Sequence, residues 1–214
     1  MAASICIEAV APLSRLDVQD LVLVRGERLV LRDLSFAVAA GGTLSISGAN
    51  GAGKTSLLRA IAGLLEPKAG RILLHRSGKN IVEANEERGA SVGWIGHQDG
   101  VKAQLTLREH LRFHLDYYRL EGDIEAALAE AGLARLRDLP AQYLSAGQRR
   151  RLALARLMLS TRPLWLLDEP FSALDPEGRE LVRRQIQRHC DAGGIAVAAT
   201  HEPLGLVCDT LEIA

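Results

Sequence analysis

Apolar and polar positions alternate over the early part of the chain, as they do in strands that bury one face. Leu21-Val22-Leu23-Val24 and Leu29-Val30-Leu31 are short β-like runs separated by the charged turn Arg25-Gly26-Glu27-Arg28, and Leu34-Ser35-Phe36-Ala37-Val38 alternates again. Gly41-Gly42 turns the chain into Thr43-Leu44-Ser45-Ile46-Ser47, another alternating run. The period then changes. Ser56-Leu57-Leu58-Arg59-Ala60-Ile61-Ala62-Gly63 places apolar residues at helical spacing and ends on a glycine stop.

After the turn Pro67-Lys68-Ala69-Gly70, residues 71–75 predict a strand and 76–90 a polar surface loop. Val92-Gly93-Trp94-Ile95-Gly96 predicts a short strand ending at His97-Gln98. Thr106-Leu107-Arg108-Glu109 fits a capping box, and Leu107, Leu111, Leu115 and Tyr118 form the apolar stripe of the helix it opens. A second helix is expected from about Asp123 to Gly132. Leu144-Ser145-Ala146-Gly147-Gln148 opens a longer one to about Leu159, whose Arg149-Arg150-Arg151 reads as a solvated face in preference to an anion site. These helices predict a helical subdomain, about residues 99–160, inserted between two sheet strands. Leu164-Trp165-Leu166-Leu167 is continuously apolar, as in a buried parallel sheet. A helix over 176–189 and the strand Ile195-Ala196-Val197-Ala198-Ala199 follow. The pattern is α/β, an antiparallel β-subdomain joined to a parallel core whose strand ends carry the site. Residues 1–15 are expected to be a loosely ordered extension and 16–214 the domain. No internal repeat or low-complexity tract interrupts it.

Composition changes this picture only by exclusion. A chain of 214 residues with 48% hydrophobic content can bury a sizeable core. Lys+Arg and Asp+Glu both number 26, so the net charge is zero, which argues against nucleic acid as the main partner. No apolar run approaches the ~20 residues of a membrane span, and the first residues lack the basic region of a signal peptide. Cys6, Cys190 and Cys208 are too far apart for a metal or redox spacing, and three thiols in a reducing cytosol are expected.

Gly48-Ala49-Asn50-Gly51-Ala52-Gly53-Lys54-Thr55 carries the chemistry. It fits G-x-x-x-x-G-K-[ST], and it lies between a predicted strand and a predicted helix, the context that this phosphate-binding loop needs. Its glycines let backbone N–H groups approach phosphate, and the helix N-terminus that starts near Ser56 favours anions. Lys54 is the expected partner of the β- and γ-phosphates, and Thr55 of Mg²⁺. Asp168 ends a buried strand, the usual place for a Mg²⁺-holding carboxylate in such loops' enzymes. Glu169 beside it is the candidate general base for a water. His201, at the end of the next strand, could meet the γ-phosphate or position that water.

In that order, the phosphate loop, Gln98, Leu144-Ser145-Ala146-Gly147-Gln148, Asp168-Glu169-Pro170, Ser172-Ala173-Leu174-Asp175 and His201 resemble the nucleotide-binding subunits of ABC transporters, over residues 16–214. The resemblance implies ATP with Mg²⁺, and a head-to-tail homodimer. Ser145, Gly147 and Gln148 of one chain would contact the γ-phosphate held by the other. It also implies that Gln98 senses Mg²⁺ and touches a membrane partner, that Asp175 lies in the loop between the two sites, and that His201 is a switch residue. A narrower resemblance rests on Trp94-Ile95-Gly96-His97-Gln98-Asp99-Gly100-Val101-Lys102, on Arg108-Glu109-His110-Leu111, on Ala146 and on Leu164-Trp165-Leu166-Leu167-Asp168-Glu169-Pro170-Phe171. These segments are similar to the ATP-binding subunits of cytochrome c maturation, or haem export. The implied setting is the cytoplasmic face of a bacterial inner membrane, with integral membrane subunits as partners and, indirectly, haem and a periplasmic haem chaperone. An ABC ATPase for another substrate is the alternative. One feature departs from the family: no aromatic precedes the phosphate loop between residues 1 and 35, so either Arg25 stacks on adenine or the base is held loosely.

Overall fold

Alternation in the first 40 residues becomes two long strands. In the computed structural model, which describes residues 11–77, 81–83 and 85–213, β1 (Leu13–Arg25) pairs antiparallel with β2 (Arg28–Ala39). Both are longer than the apolar runs suggest, because register shifts let each continue past the residues that break its pattern. Asp20 and Asp33 mark the breaks with left-handed φ of 46° and 50°. Aspartate tolerates that region better than bulkier residues. The strand begins at Leu13, which is buried, so residues 13–15 belong to the sheet; residues 1–10 of the expected extension, Cys6 included, lie outside the described residues.

The fold is the mixed α/β arrangement expected, built on two sheets. One has strand order β2-β1-β4-β5, with β4 (Ala69–Arg76) and β5 (Ile81–Val82) antiparallel to their neighbours. The other is parallel, ordered β6-β7-β8-β3-β9, from β3 (Thr43–Gly48), β6 (Val92–Ile95), β7 (Leu164–Asp168), β8 (Ile195–Ala199) and β9 (Asp209–Ile213). β7 shows why its sequence is continuously apolar. Leu164 and Leu166 enter the core shared with the antiparallel sheet and α1 (Lys54–Ile61), whereas Trp165 and Leu167 enter the core beneath α5 (Ala146–Met158) and α6 (Pro176–Asp191). A strand covered on both faces has no polar side to show. β9 has no counterpart among the expected strands; its five residues pair with β3 at the sheet edge, where only Leu211 and Ile213 pack against the core.

A third apolar cluster is made of residues between Leu107 and Leu159. It joins α3 (Leu107–Tyr118), α4 (Ile124–Glu130) and α5. The capping box at α3 is formed in full: Thr106 accepts from the Glu109 N–H at 3.2 Å, and the Glu109 carboxylate accepts from the Thr106 N–H at 2.8 Å. Ser145 and Gln148 build a second such box at α5.

Two expectations fail for one reason: arginines read as solvated are buried on backbone carbonyls. The stretch 76–90 is not a plain surface loop. It contains β5 and α2 (Asn85–Ser91), and the buried Arg88 donates to Glu83 O, Ile72 O and Ala60 O at 2.6, 3.1 and 3.2 Å. Residues 78–80 and 84 of that stretch lie outside the described residues. Nor is Arg149-Arg150-Arg151 a wet face: Arg150 is 3% exposed, Arg149 donates to Leu144 O at 2.6 Å, and Arg151 pairs with Asp175 at 2.6 Å. Three consecutive residues span about 200° of a helix's circumference, so they cannot all share one narrow outward stripe, and here Arg150 is the one that faces inward.

Candidate functional site

The phosphate loop leaves β3 and enters α1 under steric limits that its glycines meet. At Gly48, φ is +143°, and a Cβ would lie 2.2 Å from Ile213 O. At Gly53, φ is +108°, and a Cβ would lie 2.5 Å from Val30 Cγ1. Any other residue would push the loop off the adjoining strands. Gly53 is also the N-cap of α1 and offers no side-chain cap, which leaves first-turn N–H groups for an anion.

Lys54 is 8% exposed and its ammonium lies inside the loop, donating to Gly48 O at 2.8 Å and Ala49 O at 3.1 Å. Its Nζ is also 3.3 Å from His201 Nε2. His201 in turn lies 3.3 Å from Glu169 Oε1. Thr55 Oγ1 donates to Asp168 Oδ2 at 2.9 Å. Lys54, Thr55, Asp168, Glu169 and His201, drawn from the ends of three parallel strands, thus form one connected cluster. Together with Asn50, Gly51, Gly53 and Ser56 they line a cavity of about 540 Å³, with Ala49 and Ala52 in the same loop. Thr55 and Asp168 offer adjacent oxygen ligands, the donor type that Mg²⁺ takes. Among the described residues no cluster of three or more His, Cys, Asp or Glu could hold a metal, so phosphate oxygens and water would be among the remaining ligands. A lysine, helix N–H groups and a carboxylate next to a second carboxylate suit a Mg²⁺-bound polyphosphate and the activation of a water against it.

Glu169 has a φ of 49°, in the left-handed region. Its N–H donates to Ala199 O at 2.8 Å, and its carbonyl accepts from Ser172 N at 3.1 Å and from Arg150. Such a conformation persists where the surroundings over-determine it.

Gln98 is not in this cluster. It is exposed and outside the cavity lining, whereas its neighbour His97 lines it. Arg28 and Val30, which the sequence does not single out, also line it beside Arg25; Arg25 and Arg28 are cross-strand partners at the β1–β2 turn. Cross-strand pairing across a two-residue turn was the signal that could have found Arg28. Arg25→Ala should weaken ATP binding by about 0.5–2 kcal/mol if its guanidinium stacks on the base, and Arg25→Tyr should restore it. Isothermal titration with ATP and GTP checks this; three forms that bind both nucleotides alike would remove the base from this position.

Ser145, Gly147, Gln148 and Asp175 meet elsewhere, around a second cavity of about 580 Å³ that also includes Ala173 and Arg151. Asp175 caps α6, accepting from Gly178 N at 2.9 Å, and the Arg151 hydrogen bond, followed by that of Gly178, holds its carboxyl below the usual range. Neither lining shares a residue with the other. One chain therefore carries both halves of what the sequence resemblance describes as a shared site, on separate surfaces.

A third cavity, about 530 Å³, opens between β6, α3 and α5. Trp94, Phe113, His114, Tyr117 and Tyr118 form its walls, and Lys102, Arg156 and Arg162 supply its charge. Burial pushes His114 down to about 4, so this imidazole is neutral at physiological pH. Phe113 and Tyr117 stand exposed at its mouth.

Residues 31–172 match the protein family described as ABC transporter. The chain is 43% identical over 194 residues to the cytochrome c biogenesis ATP-binding export protein CcmA of Escherichia coli O157:H7, covering 89% of this chain and 91% of that one. It is 46% identical to the protein of the same name from Rhodopseudomonas palustris (strain BisB5), with 89% and 93% covered. Among solved structures, a putative ABC transporter ATP-binding protein from Pyrococcus furiosus superposes with a TM-score of 0.81 at 23% identity, over 94% of this chain and 98% of that one.

Proposed function

The chain belongs to the ABC transporter family, and on that premise we propose that it is the ATP-hydrolysing subunit of a membrane complex for cytochrome c biogenesis. The observation that carries this reading is the identity of 43–46% to relatives named for that process, along nearly the whole of both chains. ATP and Mg²⁺ would be held at the phosphate loop, 48–56, with Thr55, Asp168 and Gln98 as the side chains offered to the metal. Glu169 is the general base, assisted by His201. Two copies pair head to tail, so that Ser145, Gly147, Gln148 and Asp175 of one complete the nucleotide site of the other. That arrangement is supported by the separation of the two linings on a single chain.

From Leu13 onward the chain forms the ATPase domain, with a helical subdomain at about 99–160 that has an apolar cluster of its own. Among the described residues no helix is long and apolar enough to cross a membrane. The chain sits on the cytoplasmic face of a bacterial inner membrane, held there by integral membrane subunits that seat against the aromatic cavity beside Trp94. ATP turnover drives haem export or the release of a haem-loaded periplasmic chaperone.

The test is genetic. A deletion strain should lose haem-stained c-type cytochromes, and the wild-type gene but not Glu169→Gln should restore them. Normal c-type cytochromes in the deletion strain, with a defect in some other export or uptake, would discard the cytochrome reading and leave a general ABC ATPase.

A further inference from the structure

Arg150 is a buried cation whose guanidinium reaches two loops at once. Nη1 donates to Gly96 O at 2.7 Å and to Asp99 Oδ1 at 2.8 Å, on the segment after β6 that carries Gln98. Nη2 donates to Asp168 O at 2.8 Å and to Glu169 O, at the end of β7. From the same helix Arg156 adds Asp99 O at 3.0 Å and Gly100 O at 3.2 Å. We propose that Arg150 is a positioning residue for hydrolysis, which fixes the Glu169 backbone and the Gln98 segment to α5 as one unit.

A guanidinium is planar and its fork is rigid, so the spacing between the acceptors on its two nitrogens is set by the side chain. Gly96 O and Glu169 O are then held at a set spacing and move with α5 as a unit, not relative to each other. Glu169 needs such a constraint, because its φ of 49° is a conformation that relaxes when its neighbours release it. Asp99, mostly buried, supplies the counter-charge that keeps the guanidinium in place. The N-terminal end of α5 is the Ser145–Gln148 capping box, less than two turns from Arg150. A contact made there by the nucleotide of a paired chain is therefore transmitted by one helix to the carboxylate of this chain.

This inference rests on the ATPase reading, and the experiment separates the two. The full chain, purified with its membrane partners, is compared as wild type, Glu169→Gln, Arg150→Lys and Asp99→Ala, measuring ATP affinity without turnover and then steady-state hydrolysis. Lysine keeps the charge and loses the fork. Arg150→Lys should lower kcat about 10- to 100-fold, the scale of a displacement near 1 Å, with ATP affinity within about threefold of wild type. A role in charge or folding alone would instead be rescued by lysine. Asp99→Ala, which frees one side of the fork, should give a smaller loss of kcat with the same unchanged affinity, and it decides the matter if Arg150→Lys does not fold. Wild-type kcat in the folded variants, or a loss confined to ATP affinity, overturns the positioning role. A wild type that does not hydrolyse ATP overturns the ATPase reading itself.

Discussion

Glu169→Gln is expected to keep ATP bound while hydrolysis falls by about 100- to 10,000-fold, the usual contribution of a general base. The amide has the shape of the carboxylate, so the left-handed turn and the bonds of its backbone to Ala199 and Ser172 are retained. The Lys54 ammonium meets Glu169 only through His201, and its bonds to Gly48 O and Ala49 O do not involve the Glu169 charge. What is lost is the acceptor for the water's proton. Because ATP would bridge two chains, the uncleaved nucleotide should also trap the pair, visible as an ATP-dependent dimer by light scattering. Unchanged turnover together with a monomer in the presence of Mg-ATP would remove Glu169 from the general-base role.

Lys54→Ala acts one step earlier. Lys54 is 8% exposed as a residue, and two loop carbonyls already hold its ammonium where a phosphate oxygen would compete for it. Taking away the cation opposite a polyanion in such a place costs about 3–5 kcal/mol, roughly two to nearly four orders of magnitude in the dissociation constant. Thr55→Ala should retain more affinity and lose its dependence on Mg²⁺, because it deletes one oxygen beside Asp168 and no charge. Equilibrium binding of a fluorescent nucleotide, with and without Mg²⁺, distinguishes the two. Wild-type affinity in Lys54→Ala would end the phosphate-loop assignment.

Both variants concern residues that the sequence singles out and the structure brings to one cavity, because the pattern that marks them is local. A phosphate cradle needs glycines and a lysine at fixed offsets, and a buried parallel strand must be apolar throughout, as Leu164 to Leu167 are. Helix starts are legible for the same reason, at Thr106 and Asp123, whose side chains cap the N–H groups three residues on. What escapes depends on partners distant along the chain. Arg88 and Arg150 read as solvated, since the carbonyls that hold them lie up to 28 and 54 residues away. β9 escapes because an edge strand of five residues needs little apolar pattern when β3 supplies its hydrogen bonds. His97 in the cavity lining, with Gln98 outside it, is set by the path of one short loop, which residue types do not encode.

The contact between Gly48 and Ile213 bears on whether the phosphate loop is portable. β9 runs alongside β3 with Gly48 opposite Ile213, and there is no room between them for a single methyl group. The first glycine of the cradle is thus shaped by a strand 165 residues downstream, and Val30 closes on Gly53 from the opposite end of the chain. Residues 48–55 cut out and set into another strand–helix junction would keep their letters and lose the walls that hold their curve. As a string the motif is transferable; as a mechanical part it belongs to this sheet.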